Sequence, residues 1–375
     1  MALPVITLIA PSLDMFGGQG VQARALADAL RRDGYLLTFV PIDPRFPAPL
    51  RWVRRYRYVR TVLNEALYVS RLSALREADV IHVFSASYWS FLLAPVPAIL
   101  AAKILRKPVV LHYHSGEAAD HLVRWRRTVT PFLRMVDEIV VPSSYLQRVF
   151  ASHGYQARVI PNLIDTTRFR YRERTSPRPL LLSVRNLETH YRVSNTVLAF
   201  ARVKQRYPEA TLTIAGFGTQ ERKLRRLVES IGVTGVRFVG SVEPTALPAV
   251  YDAADIFLNS SVVDNQPVSI LEAFAAGLPV ISTPIGDIPS MLRDGEAGLL
   301  VAPEDPAAMA DAITRLLEDQ SLALRMTRCA RNEVERYTWP RVRELWSTLY
   351  TAVVARAADA DERKQSSARP YPFNV

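Results

Sequence analysis

Residues 256–282 read IFLNSSVVDNQPVSILEAFAAGLPVIS and contain the signals of a strand, a loop, a helix and a second strand. The short apolar runs at residues 256–259 and 280–282 are typical of buried strands. Pro267 stands where proline is preorganised for the first turn of a helix. A strand, a connecting helix and a second strand predict an α/β fold with a parallel sheet.

The same alternation of strands and helices extends through most of the chain. An arginine-rich segment with Pro177 and Pro179, at residues 168–178, interrupts it and is interpreted as a linker. We therefore expect two doubly wound α/β domains, at residues 1–170 and 171–336. The predicted strands lie at residues 5–10, 36–41, 80–84, 109–113, 139–141, 158–160, 180–184, 211–215, 236–239, 256–259, 280–282 and 299–301.

The C-terminal segment has a different character. Residues 337–356 have the pattern of one more amphipathic helix, and residues 357–375 are polar, with Ser366, Ser367, Pro370 and Pro372. The polar composition predicts a disordered tail from residue 357 onward.

Composition bounds the class of protein. The chain has 375 residues, of which 49% are apolar and 22% charged, as in a globular protein of two domains. Cys329 is the only cysteine, so no intrachain disulfide can form, and the N-terminus lacks the order of a secretory signal. Both features favour a reducing cytoplasm.

Charge indicates the class of partner. The formal net charge of +11 favours phosphate-bearing ligands or an anionic membrane surface, and no nucleic-acid-binding module is recognisable. The longest apolar stretch, at residues 81–105, contains Pro95 and Pro97, so it predicts a buried strand and helix rather than a membrane span.

The loop and helix of residues 264–272 predict a ligand site. The free amides of Val268, Ser269 and Ile270 should face the end of the preceding strand, where an anion would be stabilised. Glu272 lies about one turn further in and could accept hydrogen bonds from vicinal hydroxyls such as those of a ribose, and Asp264 faces the same space. The alternative is a buried helix with an ordinary N-terminal acid.

This stretch resembles the E-x7-E donor motif of glycosyltransferase family 4, followed by that family's EAxAxGxPVI run. The resemblance covers nearly the whole chain. The other matching pieces are Phe16-Gly17-Gly18, His112-Tyr113-His114-Ser115-Gly116, Val141-Pro142-Ser143, Val159-Ile160-Pro161-Asn162 with Asp165 and Phe169, Ala215-Gly216-Phe217-Gly218 and Ala254-Asp255-Ile256-Phe257-Leu258.

The resemblance implies a GT-B fold, with two facing Rossmann-like domains and a C-terminal helix that crosses back to the first. It also implies metal-independent transfer, with retained configuration, of a sugar from a nucleotide diphosphate sugar to a hydroxyl acceptor of unknown identity. Glu272 would hold the ribose, and Asp264 would replace the family's first Glu, although its side chain is shorter by one methylene. Further donor-site positions implied are Gly216, Asn265, Pro267, Val268, Ser269 and Ile270.

A second departure from the family concerns its diphosphate clamp, an Arg followed about five residues later by a Lys. This chain supplies Arg185 but no Lys. Arg192 could provide the second positive charge, since a guanidinium also binds phosphate well. The alternative is that Arg192 points to solvent.

The N-terminal half should supply groups at the transfer site. His112 and His114 alternate along a strand and so share a face, and the resemblance implies that His114 reaches the donor sugar. A metal site is an alternative, but no other His or Cys recurs at a ligand-like spacing, so we expect no metal and no cofactor. Gly17 and Gly18 lack Cβ atoms where the backbone must approach a ligand.

Two rival functions remain open on this architecture. One is a nucleotide-sugar epimerase, and the other is a non-catalytic binding subunit, which the altered Asp264 and the missing Lys would suit. A dehydrogenase is disfavoured, because no G-x-G-x-x-G directly follows the first strand.

Residues 51–60, RWVRRYRYVR, predict a basic amphipathic helix. An apolar stripe surrounded by arginines would suit the surface of an anionic membrane, and the alternative is a helix packed on its domain with solvated arginines. The stripe consists of Trp52, Tyr56, Val59 and Leu63. The arginines are Arg51, Arg54, Arg55, Arg57 and Arg60.

Overall fold

A computed structural model describes residues 3–12 and 18–367 and contains two parallel β-sheets of six strands each. The first sheet has the strand order β2-β1-β3-β4-β5-β6. Its strands are β1 (Ile6–Ala10), β2 (Leu37–Pro41), β3 (Val80–Ser85), β4 (Val109–Tyr113), β5 (Glu138–Val141) and β6 (Arg158–Val159). The helices around it are α1 (Gly18–Arg32), α2 (Arg57–Arg71), α3 (Trp89–Leu93), α4 (Pro95–Ile104), α5 (Ala118–Arg124), α6 (Arg126–Leu133) and α7 (Ser144–Ser152).

The second sheet has the strand order β12-β11-β10-β7-β8-β9. Its strands are β7 (Leu180–Val184), β8 (Thr211–Ala215), β9 (Val236–Gly240), β10 (Ile256–Asn259), β11 (Val280–Ser282) and β12 (Gly298–Leu300). Its helices are α8 (Val193–Arg206), α9 (Glu221–Ile231), α10 (Leu247–Asp252), α11 (Val268–Ala276), α12 (Ile288–Leu292), α13 (Pro306–Glu318) and α14 (Gln320–Val334), and α15 (Trp339–Ser367) ends the described chain.

The predicted strands are confirmed, and no boundary differs by more than one residue. Strands β1, β3 and β4 are buried at every position, as expected for parallel strands covered by helices on both faces. In each sheet the strand order reverses once, between β1 and β3 and between β7 and β10. Ligands bind at the carboxyl ends of strands beside such reversals.

The last helix returns to the first domain, as predicted. Val342, Trp346 and Tyr350 of α15 are buried in one apolar cluster with Ile6 of β1 and Phe84 of β3. Burying these large side chains removes apolar surface from water, and this fixes the helix against the first sheet. The C-terminal end of the chain is therefore part of the N-terminal domain's core.

The predicted disordered tail from residue 357 is wrong as far as residue 367, because α15 continues to Ser367. Residues 357–367 read AADADERKQSS and hold no large apolar side chain, but Ala, Glu, Arg, Lys and Gln are strong helix formers. Intrinsic propensity therefore extends the helix beyond its packed part. Residues 368–375 lie outside the described residues.

The basic segment at residues 51–60 is not one helix, which corrects the prediction. A 3₁₀ helix covers Ala48–Arg55 and α2 begins at Arg57, because Tyr56 between them is extended, with φ −104° and ψ 105°. This break changes the rotation of the side chains, so Leu63 is half-buried. The exposed apolar side chains are Trp52, Tyr56, Tyr58, Val59 and Val62.

The apolar stretch at residues 81–105 forms most of β3 together with α3 and α4, which agrees with its prediction as a buried strand and helix. Pro95 lies in the first turn of α4, where its missing N–H costs nothing. Within residues 3–12 and 18–367, no helix is both long enough and apolar enough to cross a bilayer.

The arginine-rich linker is fixed by one buried carboxylate. Asp255, which precedes β10, has a side chain only 1% exposed and pairs with Arg172 and Arg178, each at 2.8 Å. Arg174 is fully buried and donates to the carbonyl oxygens of Tyr251, Ala254 and Ala276. Although burial alone would raise it, hydrogen bonds from Arg178 and Arg172 hold the pKa of Asp255 below its usual value.

We expect Asp255→Asn to lower the free energy of unfolding by about 3 kcal/mol, because it leaves buried arginine without its counter-charge. Urea unfolding measures the loss. Glu318→Gln is the control, since Glu318 pairs with Arg206 at the surface and its loss should cost no more than about 1 kcal/mol. A loss in Asp255→Asn no larger than in the control would contradict this account of the linker.

Candidate functional site

A cleft of about 400 Å³ lies between the two domains, at the carboxyl ends of their strands. His114 follows β4 in the first domain, and Arg185 and Gly216 follow β7 and β8 in the second. The loop between β10 and α11 completes the lining from the second domain. Because parallel strands end at one edge, residues distant in sequence meet there.

The N-terminus of α11 opens into this cleft. Pro267 is the residue before the helix, and Val268 and Ser269 both line the cleft. The first amides of an α-helix have no partner within the helix, so those of Val268 and Ser269 are available to an anion. The Ser269 hydroxyl is buried and has no hydrogen-bond partner within the described chain.

Ile270 is a correction to the predicted set. Its amide donates to the Pro267 carbonyl oxygen at 3.1 Å, and its side chain is fully buried in the core. The first turn of α11 is closed by this tight hydrogen bond, so the Ile270 amide is not free for a ligand. The anion-binding end of the helix is narrower by one residue than the sequence predicted.

Glu272 lies one turn into α11, lines the cleft and is only 7% exposed. Its Oε2 accepts a hydrogen bond from the Tyr251 hydroxyl at 2.7 Å. Burial raises the pKa of Glu272 to about 7, against the opposing effects of the Tyr251 hydrogen bond and of the charges on Arg168 and Arg185. This carboxyl group therefore exchanges its proton near neutral pH.

Arg185 and Asp264 form an ion pair inside the cleft, and each side chain is 11% exposed. The Arg185 Nε also donates to Asn259 Oδ1 at 3.0 Å, and the guanidinium lies 4.8 Å from the centre of the Tyr191 ring. The hydrogen bond and the ring fix the cation where β7 and β10 end. An anion that reaches Arg185 must share it with Asp264 or displace that carboxylate.

Two glycines allow the backbone to approach these charged groups. Gly216 has φ +141°, and a Cβ there would overlap the Arg185 carbonyl oxygen. A Cβ on Gly116, in the first domain, would lie 2.8 Å from the backbone carbonyl carbon of Asp264 in the second. Only glycine fits at either position without displacement of the Arg185 and Asp264 backbone.

The loop before α11 is also held by the first domain. Asn162 donates its amide to Gln266 Oε1 at 2.7 Å and its side chain to the Gln266 carbonyl oxygen at 2.8 Å. Asn265 lines the cleft, and its Oδ1 accepts a hydrogen bond from the Ser143 hydroxyl. The predicted donor-site residue Asn265 therefore also joins the two domains.

His114 and Gly18 line the cleft from the first domain, and Gly17 lies outside the described residues. The His114 ring stacks on Phe84, with 4.9 Å between ring centres, and its amide donates to Ser85 O. Burial lowers the pKa of His114 to about 3, so the ring is neutral at physiological pH. A neutral ring can donate one hydrogen bond and accept another.

Arg192 is not brought into the cleft. Its backbone is left-handed, with φ +46°, and its Nε pairs with Glu304 Oε1 at 2.8 Å. The cleft is instead lined by His190, five residues after Arg185, and by Arg168 from the linker. The spacing expected for the missing Lys could have indicated His190, whereas nothing local indicated Arg168.

The paired histidines of β4 share a face, as predicted, and their ring centres are 4.1 Å apart. Among residues 3–12 and 18–367, no group of three or more His, Cys, Asp or Glu side chains is placed to hold a metal ion.

Comparison with known families and proteins follows the same division into two halves. The family model of Glycosyltransferase Family 4 matches residues 16–168, and that of Glycosyl transferases group 1 matches residues 165–333. Glycogen synthase of Mycobacterium tuberculosis is 32% identical over 291 residues, which cover 73% of this chain and 69% of that protein. Phosphatidyl-myo-inositol mannosyltransferase of the same species is 26% identical over 94% of this chain and 98% of that protein.

Solved structures agree on the fold. Sucrose-phosphate synthase from Thermosynechococcus elongatus superposes with a TM-score of 0.75 at 21% identity, covering 94% of this chain and all of that one. HepE from Anabaena, in complex with UDP and glucose, gives 0.72 at 18% identity and covers 92% of this chain and 99% of its own. The GT-B fold expected from the sequence is confirmed.

We expect the Glu272 carboxyl group to titrate near pH 7 in the carboxyl ¹³C spectrum of glutamate-labelled protein, with Glu272→Gln identifying its resonance. Tyr251→Phe should raise this pKa further, because the Tyr251 hydroxyl donates to the charged form and stabilises it. Tyr207→Phe, which removes a surface hydroxyl near Glu318, should leave it unchanged. A Glu272 pKa near 4.5, or a fall in Tyr251→Phe, would contradict the geometry.

Proposed function

The chain belongs to glycosyltransferase family 4, and we propose that it transfers a sugar from a nucleoside diphosphate to a hydroxyl acceptor, with retained anomeric configuration and without a metal ion. The observation that carries the proposal is the meeting of the α11 N-terminus, Arg185 and Glu272 in one interdomain cleft. These groups match the diphosphate and ribose of such a donor in charge and hydrogen-bonding capacity.

The diphosphate binds between Arg185 and the amides of Val268 and Ser269. As the bond from the sugar to the phosphate breaks, negative charge grows on the leaving diphosphate. Donors already aimed at that charge stabilise the transition state more than the bound substrate. The contact of Arg185 with Asn259 supports this role, because it fixes the cation before the donor arrives.

The ribose hydroxyls donate to the Glu272 carboxylate. Their position one helical turn from the diphosphate follows from the length of α11's first turn. The Tyr251 hydroxyl holds the carboxylate from the opposite side, so the orientation of Glu272 is set by the second domain alone. Donor binding by that domain requires no contribution from the first.

Asp264 and the diphosphate compete for Arg185. Two anions on one guanidinium repel each other, so the Asp264 carboxylate leaves Arg185 when the diphosphate binds. It is then free to accept a hydrogen bond from a sugar hydroxyl. His114, neutral and on the opposite side of the cleft, meets the sugar from the first domain.

Transfer needs no carboxylate as the base. The bond from the anomeric carbon to the phosphate oxygen breaks, and the acceptor oxygen bonds to that carbon on the same face. The acceptor's proton passes to an oxygen of the departing diphosphate, so charge and atoms balance. The residues of the cleft bind, orient and stabilise charge, which is consistent with a cleft whose carboxylates are already paired.

Relatives bound the range of substrates to test. They include a glycogen synthase and a phosphatidyl-myo-inositol mannosyltransferase, and the HepE structure contains UDP. For this chain the donors to examine first are UDP-glucose and GDP-mannose, and the acceptors are a glucan and phosphatidylinositol. The single cysteine supports a reducing, cytoplasmic setting.

We also propose that the segment around α2 binds an anionic membrane surface. Tyr58 is 82% exposed and Val62 70% exposed, and Trp52 and Tyr56 lie beside them with rings 6.0 Å apart. Exposed Arg55 and Arg60 flank this apolar surface, and the side chains of Arg51, Arg54 and Arg57 lie outside the described residues. Inserted aromatic rings and flanking cations suit anionic headgroups.

We expect nucleotide release to depend on an added acceptor, and the product to keep the donor's anomeric configuration in its proton NMR spectrum. Glu272→Ala should abolish this release, since the ribose loses its carboxylate, whereas Glu229→Ala on the exposed face of α9 should not. Conversion of the donor sugar without an acceptor would instead indicate an epimerase. Donor binding without either reaction would indicate a non-catalytic subunit.

Binding to vesicles should require anionic lipid and weaken as salt rises, because the cations of the α2 segment are screened. A double variant, Arg55→Ser with Arg60→Ser, should bind less in sedimentation assays. Arg222→Ser with Arg226→Ser, on exposed α9, removes the same charge and should bind as the parent does. Equal binding to neutral vesicles, or equal loss in both variants, would remove the membrane role.

A further inference from the structure

A chain of buried polar groups runs from the returning helix α15 toward the cleft. The Tyr350 hydroxyl lies 2.7 Å from His82 Nδ1, and His82 Nε2 lies 3.2 Å from His112 Nδ1. Tyr350 and His82 are fully buried and His112 is 4% exposed. Polar groups this deep need partners, and these three supply them to one another.

The direction of the hydrogen bonds follows from counting protons. Within the described chain the Tyr350 hydroxyl has no other hydrogen-bond partner, so its proton goes to His82 Nδ1. A neutral imidazole carries one N–H, so that of His82 is on Nε2 and points to His112 Nδ1. His112 therefore carries its proton on Nε2. The reverse direction would leave the tyrosine proton buried and unpaired.

The chain ends against His114, which lines the cleft. The rings of His112 and His114 lie 4.1 Å apart, and Phe84 stacks on both His82 and His114. The Nε2 atoms of His112 and His114 are buried and have no partner among the described residues. Trp346 of α15 covers His82 and His112, at 5.0 and 5.1 Å.

All three histidines are neutral. Burial, with a smaller effect from His114, lowers the pKa of His82 to about 3, and burial lowers that of His114 to about 3. Burial and the neighbouring histidines lower the pKa of His112 well below its ordinary value. The set therefore keeps one fixed arrangement of protons across physiological pH.

We propose that Tyr350, His82 and His112 are positioning residues, through which α15 fixes the ring orientation and proton position of His114 beside the donor sugar. The helix leaves the second domain and packs on the first, so its hydroxyl joins the end of the chain to the transfer site. The effect on His114 in catalysis rests on the proposed function. The arrangement of protons does not, and it is tested separately.

Nitrogen NMR of ¹⁵N-histidine protein reads the arrangement directly. Between pH 5 and 8, His82 and His112 should each be neutral with the proton on Nε2, assigned with His82→Asn and His112→Asn. Tyr350→Phe should give mixed tautomers at both rings, because the donor that sets the direction is lost. A proton on Nδ1 of His112 in the parent protein, or an imidazolium at pH 6, overturns the proposal even if Tyr350→Phe does not fold.

Kinetics test the role of the relay in transfer, with UDP-glucose or GDP-mannose as donor. Tyr350→Phe should lower kcat about tenfold, the value of one net hydrogen bond, and leave the donor KM unchanged. Tyr35→Phe, on the ring that packs against Tyr350, is the matched control and should keep the parental kcat. An unchanged kcat in Tyr350→Phe, a loss confined to KM, or an equal loss in the control overturns the proposal. If neither donor is turned over by the parent protein, the proposed function fails, and the tautomers still decide the arrangement.

Discussion

The ion pair between Arg185 and Asp264 is the contact on which the arrangement of the cleft depends. Both side chains are only 11% exposed, and a charge so far removed from water needs an opposite charge nearby. The pair is possible because β7 and β10 end side by side, so Arg185 and the loop before α11 meet. Gly216 and Gly116 then allow neighbouring backbone to close around it.

The two domains contribute differently to this cleft. The second supplies the cation, the helix N-terminus and Glu272, all placed by its own sheet. The first adds His114 and holds the loop at residues 264–267 through Ser143 and Asn162. Since that loop carries Asp264, any change in how the domains meet alters the Arg185 pair as well. Donor binding and domain contact are thus linked by one short segment.

Local signals explain why most of the fold could be predicted. Apolar runs placed the strands, and Pro267 placed the start of α11, because both depend on neighbouring residues. The errors arose where distant contacts or opposing propensities decide. Glu304 draws Arg192 away from the cleft, and the extended backbone at Tyr56 ends the expected basic helix. In the tail, the helix propensity of residues 357–367 prevailed over their polarity.

Calorimetric titration of UDP and GDP into the parent protein and Asp264→Asn tests the central claim most directly. If the diphosphate displaces Asp264 from Arg185, removing that negative charge should tighten nucleotide binding about tenfold, the effect of roughly 1.4 kcal/mol. Asp311→Asn, on exposed α13, removes the same charge elsewhere and should leave the affinity unchanged. Weaker or unchanged binding in Asp264→Asn would contradict the account, because the diphosphate would then not compete for Arg185.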